Sequence, residues 1–375
     1  MNLTKYKLGD LIVQRREKNN NYDVPIRGVS KEGFIPAKQK DADTSIYNVF
    51  YKYDFVFNPA RMELNSIALN LEYDKALCSS LYEVFYVKDV SIVLPEFLNL
   101  HIKRDEFARH CDYIGLGSAR EYCRFANIAE FDIELPPIEV QEEIVEADRL
   151  IKKRIRLNNQ MILHLEATAQ ALYRKTFVDN IDKENLPEGW RMGTLGEFGE
   201  VITGKTPSTL DESNFGNYMP FVTIPDMHGG FYVIETERGL SQRGVAIQAN
   251  KTIPKNSVCV SCIGTSGLVV ITSKECQTNQ QINSIVPQKE YALEYIYLTC
   301  CGLEKIIAEY GMGAAVLNNL NKSEFENLRV IVPLDVEMRY FHKLVSPVFK
   351  TIYLRQQENK KLTELQSLLL AKMGQ

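Results

Sequence analysis

The 375-residue sequence predicts an α+β fold: two mixed α/β globular units in pseudo-repeat, separated by two long helices that pair as an antiparallel coiled coil. Three observations predict it. Four short segments of the first half recur, in the same order, in the second. Two stretches carry a heptad seam of apolar residues. The seams lie 197 residues apart, within the spacing of the recurring segments.

The recurrences are Lys7-Leu8-Gly9-Asp10 with Thr194-Leu195-Gly196-Glu197, and Asp54-Phe55-Val56-Phe57 with Asn256-Ser257-Val258-Cys259. They continue with Gly115-Leu116-Gly117-Ser118-Ala119 and Gly311-Met312-Gly313-Ala314-Ala315. The last is Leu135-Pro136-Pro137-Ile138-Glu139-Val140 with Val332-Pro333-Leu334-Asp335-Val336. The chain therefore reads as a globular domain over residues 1–135, a helical spacer over 136–180, a second globular domain over 186–332 and a helical spacer over 333–375. The polar stretch 179–189, ending in Pro and Gly, is the linker.

Within the globular domains, the runs Asn48–Phe57, Leu81–Val87, Ser257–Ile263 and Gly267–Thr272 read as buried strands. Leu94–Arg109 and Leu293–Tyr310 read as helices.

The first seam runs Ile144, Asp148, Ile151, Ile155, Asn158, Ile162, Leu165, Ala169, Leu172. The second runs Phe341, Val345, Val348, Ile352, Arg355, Asn359, Leu362, Gln366, Leu369, Met373. Alternate steps of four and three keep these positions on one helical face, the pattern of a coiled-coil partner surface. The polar members Asn158 and Arg355 are expected to fix register. Ser346-Pro347 reads as an N-cap followed by a first-turn proline, so the second helix is expected to restart or kink there.

Several functions are unsupported. The N-terminus lacks an apolar signal core, and no apolar run reaches the roughly 18 residues that span a bilayer. A cytoplasmic protein with no membrane partner and eight reduced cysteines is expected. The net charge of −4 shows no basic excess, although a local basic face can be offset by acidic surface elsewhere. Gly199-Glu200-Val201-Ile202-Thr203-Gly204-Lys205-Thr206 satisfies the P-loop pattern literally. Val201 and Ile202 look like strand, however, and no apolar helical period follows Pro207. Cys259 and Cys262 have CxxC spacing but no second tight pair, so no metal site is expected. The five histidines form no HExxH motif, Gly264–Gly267 is one residue short of a nucleophile elbow, and no G-x-G-x-x-G follows a strand. Nothing assembles an active site.

Both halves instead carry polar, basic loops. They hold Arg27 and Lys31, Arg61, and Ser118 and Arg120 in the first half. In the second half they hold Thr203, Lys205, Thr206 and Ser208, with Gln280 and Gln281. Such side chains contact phosphates and base edges. Their recurrence in both halves weighs against plain solvated surface.

These residues resemble a known family. Tyr53-Asp54-Phe55-Val56-Phe57-Asn58-Pro59-Ala60-Arg61, Asn65-Ser66-Ile67-Ala68, and Leu94-Pro95-Glu96-Phe97 leading to Gly117-Ser118-Ala119-Arg120-Glu121 resemble the first half of type I restriction–modification specificity subunits. Leu135-Pro136-Pro137-Ile138-Glu139-Val140-Gln141 and Ala169-Gln170-Ala171-Leu172-Tyr173 resemble the start and end of that family's central helix. Leu186-Pro187-Glu188-Gly189-Trp190, Ile202–Ser208 and Thr278-Asn279-Gln280-Gln281-Ile282-Asn283 resemble its second recognition domain. The second helix departs from the pattern, lacking the double proline and the Gln of the first.

The resemblance implies two target recognition domains, each reading half of a bipartite double-stranded DNA site. It implies helices that set the spacing and dock modification (methyltransferase) subunits, expected to number two, with restriction subunits joining through the complex. It also implies no cofactor on this chain, with S-adenosylmethionine, ATP and Mg on the partner subunits. A P-loop nucleotide-binding protein and a coiled-coil scaffold without a DNA role are the alternatives.

Overall fold

The computed structural model describes residues 3–20, 22–37, 43–115, 122–311 and 320–373. The chain divides into two compact units, Met1–Lys153 with Thr363–Gln375, and Arg154–Leu362.

The first unit opens with strand Thr4–Lys7, paired antiparallel with Asp132–Leu135. A single helical turn, Leu8–Leu11, buries Leu8 and Leu11 and delivers the chain to strand Ile12–Arg15. That strand edges a four-stranded antiparallel sheet, followed in order by Glu83–Val87, Phe55–Phe57 and Ile67–Leu69. Phe55 and Phe85, direct cross-strand partners, stack at 4.7 Å between ring centroids. Helices Pro95–Ile102, Asp105–Gly115 and Phe125–Ala129 close the core on Phe97, Phe107 and Ile128.

The second unit repeats this order. Strand Arg191–Thr194 pairs antiparallel with Arg329–Val332, and the turn Leu195–Phe198 leads into a five-stranded sheet. Its order is Gly199–Thr203, Ile282–Pro287, Val258–Ser261, Val269–Thr272 and Tyr232–Val233, the last pairing parallel. Helices Leu293–Gly302, Glu304–Gly311 and Lys322–Glu326 follow, the last begun by an Asn321–Glu324 capping box. The units differ in what is inserted between their first and middle strands. The first carries hairpin Arg27–Ser30/Gly33–Pro36 and strand Asn48–Tyr51, which pairs with Lys75–Cys78. The second carries a three-stranded sheet, Arg238–Leu240, Phe215–Val222 and Gln277–Thr278.

Four sequence expectations are corrected. The run 48–57 is two strands, because the chain turns at Tyr53, which adopts φ 68°. The helix expected over 94–109 breaks at Lys103 and Arg104, and that over 293–310 breaks at Leu303. The C-terminal helix runs unbroken from Asp335 to Lys372 with Pro347 inside it. Pro347 is exposed while Val345, Phe349 and Ile352 are buried on either side. Core packing on both sides holds the helix through the proline, which supplies no amide to the turn before it. Arg355, a polar seam position, donates to Glu358, the residue that also meets Arg154 of the central helix.

The central helix spans Ile138–Phe177. Its start is pinned by buried Gln141, which donates to the carbonyls of Ile92 and Pro136 and accepts from the Leu94 amide. Met338 stands at the matching place in the C-terminal helix and is buried as an apolar residue. That start is held by Trp190 donating to Glu337 and by Lys289 and Tyr291 on Asp335.

The helices pair antiparallel. In the second unit Asn158 Nδ2 donates to Asn359 Oδ1 at 2.9 Å, Arg154 meets Glu358, and the Tyr173 and Phe341 rings lie 6.3 Å apart. In the first unit Gln366 Nε2 donates to Asp148 Oδ1 at 2.6 Å. Polar seam positions thus meet polar seam positions. Ile151 and Ile352 are buried; Ile155, Ile162, Leu165, Leu172, Val348, Leu362 and Leu369 are half-buried. Ala169, Phe177, Phe341, Val345 and Phe349 join the core of the second unit, whereas Ile144 and Met373 join that of the first.

Candidate nucleic-acid interface

Antiparallel pairing brings alternate strand ends to one edge of each main sheet. In the second unit that edge holds two loops selected independently from the sequence. Thr203 Oγ1 donates to Asn283 Oδ1 at 2.6 Å. The Gly204 amide donates to Ile282 O, and the Lys205 amide to Thr278 O. Thr206 Oγ1 donates to Gln280 Oε1 at 2.6 Å. Thr203, Lys205, Thr206, Gln280 and Gln281 therefore share one surface, with the Lys205 and Gln280 side chains exposed.

Buried carboxamides hold this surface from beneath. Gln248, 2% exposed, donates to Lys205 O at 2.7 Å and to Gln277. Asn214, also 2% exposed, donates to Ser208 O at 3.0 Å. Asn283 supports Thr203 and itself donates to Leu320 O. Gln248 Oε1 and Asn214 Oδ1 are buried without a hydrogen-bond partner. Orphaned buried acceptors are costly, so this loop is held in place at some expense of stability.

The first unit builds the same edge from other residues. Arg15 faces Val84 across the first two strands as Ile202 faces Ser284, so register equates Arg15 with Ile202 and Val84 with Ser284. Counted on from there, Lys18 falls at the place of Lys205, although it bridges to Asn48 where the Lys205 amide bonds Thr278 O. The Lys18 ammonium donates to Asn48 Oδ1 at 2.7 Å, and Asn48 Nδ2 donates to Tyr82 O at 2.7 Å. Arg16 is exposed beside it. Sequence reasoning did not single out Arg16 and Lys18 as part of this edge. The basic run Gln14-Arg15-Arg16-Glu17-Lys18 was the available signal, at the offset of 187 already set by Leu8 and Leu195.

Arg61 follows the Phe55–Phe57 strand onto this edge, exposed in the turn Pro59–Leu64 that Asn58 caps. Lys31 lies beside the start of the Ile67–Leu69 strand, since Lys103 Nζ donates to both Lys31 O and Ile67 O. Burial, then the nearby ammonium groups of Lys152 and Lys31, lowers the Lys103 pKa below its ordinary range. Arg27 is not gathered with them: it donates to Tyr73 Oη and to the Ile26 carbonyl, with its guanidinium over the Tyr73 ring. Ser118 and Arg120 lie outside the described residues.

The alternative chemistries fail on geometry. Gly199–Thr203 is a paired strand and no helix follows Thr206, so the P-loop pattern forms no phosphate cradle. Cys259 and Cys262 are buried at the middle strand, where burial pushes their thiols up to about 12 and about 11. No group of three or more His, Cys, Asp or Glu among the described residues is arranged to hold a metal ion. No helix among them is long and apolar enough to cross a membrane.

Comparison with known proteins agrees with this architecture. The family model for the type I restriction modification DNA specificity domain matches twice, over residues 3–167 and 187–364. The type I restriction enzyme HindI specificity subunit of Haemophilus influenzae is 30% identical, with 76% of this chain and 78% of that protein covered. The MjaIX specificity subunit of Methanocaldococcus jannaschii is 24% identical over 49% of this chain and 43% of its own. The crystal structure of a type I restriction–modification S subunit from M. genitalium shares the fold at a TM-score of 0.62 and 15% identity, covering 99% of this chain and 96% of that one. The chain belongs to the type I restriction modification DNA specificity family.

Proposed function

We propose that this chain is the DNA-sequence-recognition subunit of a type I restriction–modification complex. Each globular domain reads one half of a bipartite double-stranded target, and the helix pair fixes the spacing and docks two modification subunits. One observation carries the reading: the same scaffold occurs twice, and it presents different polar and basic side chains at the equivalent sheet edge. Lys205, Lys18 and Arg61 supply the charge that neutralises phosphates, while neighbouring amides and hydroxyls reach base edges.

The chain itself is non-catalytic in this reading. Methyl transfer from S-adenosylmethionine belongs to the modification subunits. ATP- and Mg-dependent translocation and cleavage belong to restriction subunits that join through the complex. The reading places the complex in the cytoplasm, where its DNA lies.

Co-expression with the modification subunit, followed by sequencing of host DNA for N6-methyladenine, tests this. The expected result is one bipartite methylated motif whose halves change separately when residues 1–135 or 186–332 are exchanged for those of a relative. An assembled complex that binds S-adenosylmethionine but leaves DNA unmethylated and unbound would favour the scaffold reading.

A further inference from the structure

The turn that enters the second strand of each sheet is built identically in both units, yet it carries chemically opposite residues. In the first unit the Leu81 amide donates to Ser79 Oγ and the Tyr82 amide to Ser79 O. In the second unit the Gln281 amide donates to Asn279 Oδ1 and the Ile282 amide to Asn279 O. Ser79 thus matches Asn279, Ser80 matches Gln280, and Leu81 matches Gln281. A lysine in the equivalent place, Lys18 or Lys205, stands next to each turn.

Leu81 is 79% exposed and belongs to no core cluster. Neither packing nor turn geometry requires an apolar side chain there, since the turn bonds use its backbone. Gln280 and Gln281 show the reverse chemistry. Gln280 Oε1 accepts from Thr206 and Gln281 Oε1 accepts from Asn279 Nδ2 at 2.9 Å. One lone pair of each carbonyl oxygen is engaged by the protein, and the side-chain NH2 groups are the donors these two residues offer.

We infer that this turn is the base-reading element of each unit. Leu81 reads the C5-methyl group of a thymine in one half-site. Gln280 and Gln281 read an acceptor edge, the N7 and O6 of a guanine, in the other. The inference rests on the DNA-recognition reading and names the side chains and base edges that give the two halves different targets.

The test uses the assembled complex with its modification subunit and duplexes carrying its methylated motif. Each thymine of the motif is replaced in turn by uracil, which removes only the methyl group. Each guanine is replaced by 7-deazaguanine, which removes only the N7 acceptor. One uracil position should weaken binding about fourfold, the worth of one buried methyl, and Leu81→Ala should abolish that sensitivity. One 7-deazaguanine position in the other half should weaken binding about fivefold, the worth of one hydrogen bond. Q280A or Q281A should abolish that effect, leaving the uracil effect intact.

If binding remains sequence-specific but no uracil position matters, or if Leu81→Ala keeps the full uracil effect, Leu81 is not the reader. Sensitivity to 7-deazaguanine that survives in both glutamine variants overturns the second half in the same way. A complex with no sequence-specific binding at all refutes the DNA-recognition reading itself.

Discussion

Gly204 offers a sharp test of whether the second unit's loop acts as a preformed surface. A Cβ built there stands 2.2 Å from Asn279 O and from Thr278 Oγ1, and 2.3 Å from Thr278 O. Ordinary contact begins near 3.4 Å, so Gly204→Ala requires a backbone displacement of about 1.2 Å. Three hydrogen bonds lie across that gap: Gly204 N to Ile282 O at 3.1 Å, Lys205 N to Thr278 O at 2.9 Å, and Gln248 Nε2 to Lys205 O at 2.7 Å. At about 1 kcal/mol each, their loss destabilises the second unit by about 3 kcal/mol. Losing the third would also leave the buried Gln248 amide short of an acceptor. Denaturant unfolding of the full chain should show a lowered midpoint for the transition of this unit. The methylated motif should become degenerate in one half and stay intact in the other. An unchanged midpoint with an unchanged motif would falsify the claim that contact between these two loops organises the reading surface.

Three further outcomes are expected. Lys205→Ala should weaken binding to all DNA sequences alike and reduce the slope of log affinity against log salt by about 1, as for a lost phosphate contact; an unchanged slope removes Lys205 from the interface. His101 is pushed down from 6.5 to about 4, first by burial and then by Arg104. Its folded-state pKa is depressed, so the stability it contributes is present above about 6.5 and lost as pH falls through about 4. At 1.36 kcal/mol per pKa unit the loss is about 3 kcal/mol. His101→Phe should therefore flatten the acid side of the first unit's stability profile, and equal acid sensitivity in both proteins would contradict this. Finally, four residues inserted into each long helix should lengthen the pair by about 6 Å. At about 3.4 Å per base pair the unspecified spacer of the motif should grow by one or two pairs; methylome sequencing of an insertion variant that keeps the old spacer would end the ruler idea.

The long helices and the duplication were legible because their signals are periodic and survive small shifts. Heptad spacing picked out Asp148, Asn158, Asn359 and Gln366 as seam positions, and the structure pairs Asp148 with Gln366 and Asn158 with Asn359. The local breaks were not legible. Tyr53 turns with positive φ although neither Gly nor Asn marks the site, and the helices end at Lys103 and Leu303 inside stretches that read as single helices.

The second unit's candidate surface was legible in pieces, as two polar loops far apart in sequence, without the hydrogen bonds that join them. The first unit's surface was hidden by its inserts. The offset between halves changes from 187 at Leu8 to 200 at Leu81, so Lys18 and Leu81 align with Lys205 and Gln281 only through strand register. The place of Arg27 was not legible, because Tyr73, the ring that takes up its guanidinium, is 46 residues away in sequence.

In each unit one short antiparallel strand pair has a further consequence. Thr4 faces Leu135, and Arg191 faces Val332, so the chain leaves each globular domain beside the point where it came in. Everything between those strands is a closed excursion from the helical frame. A gene segment encoding such an excursion can be exchanged between lineages by recombination without altering the helices, because the two splice points are neighbours in space. Two inherited excursions combine independently, so a population holding a modest number of each can display a number of paired specificities equal to their product.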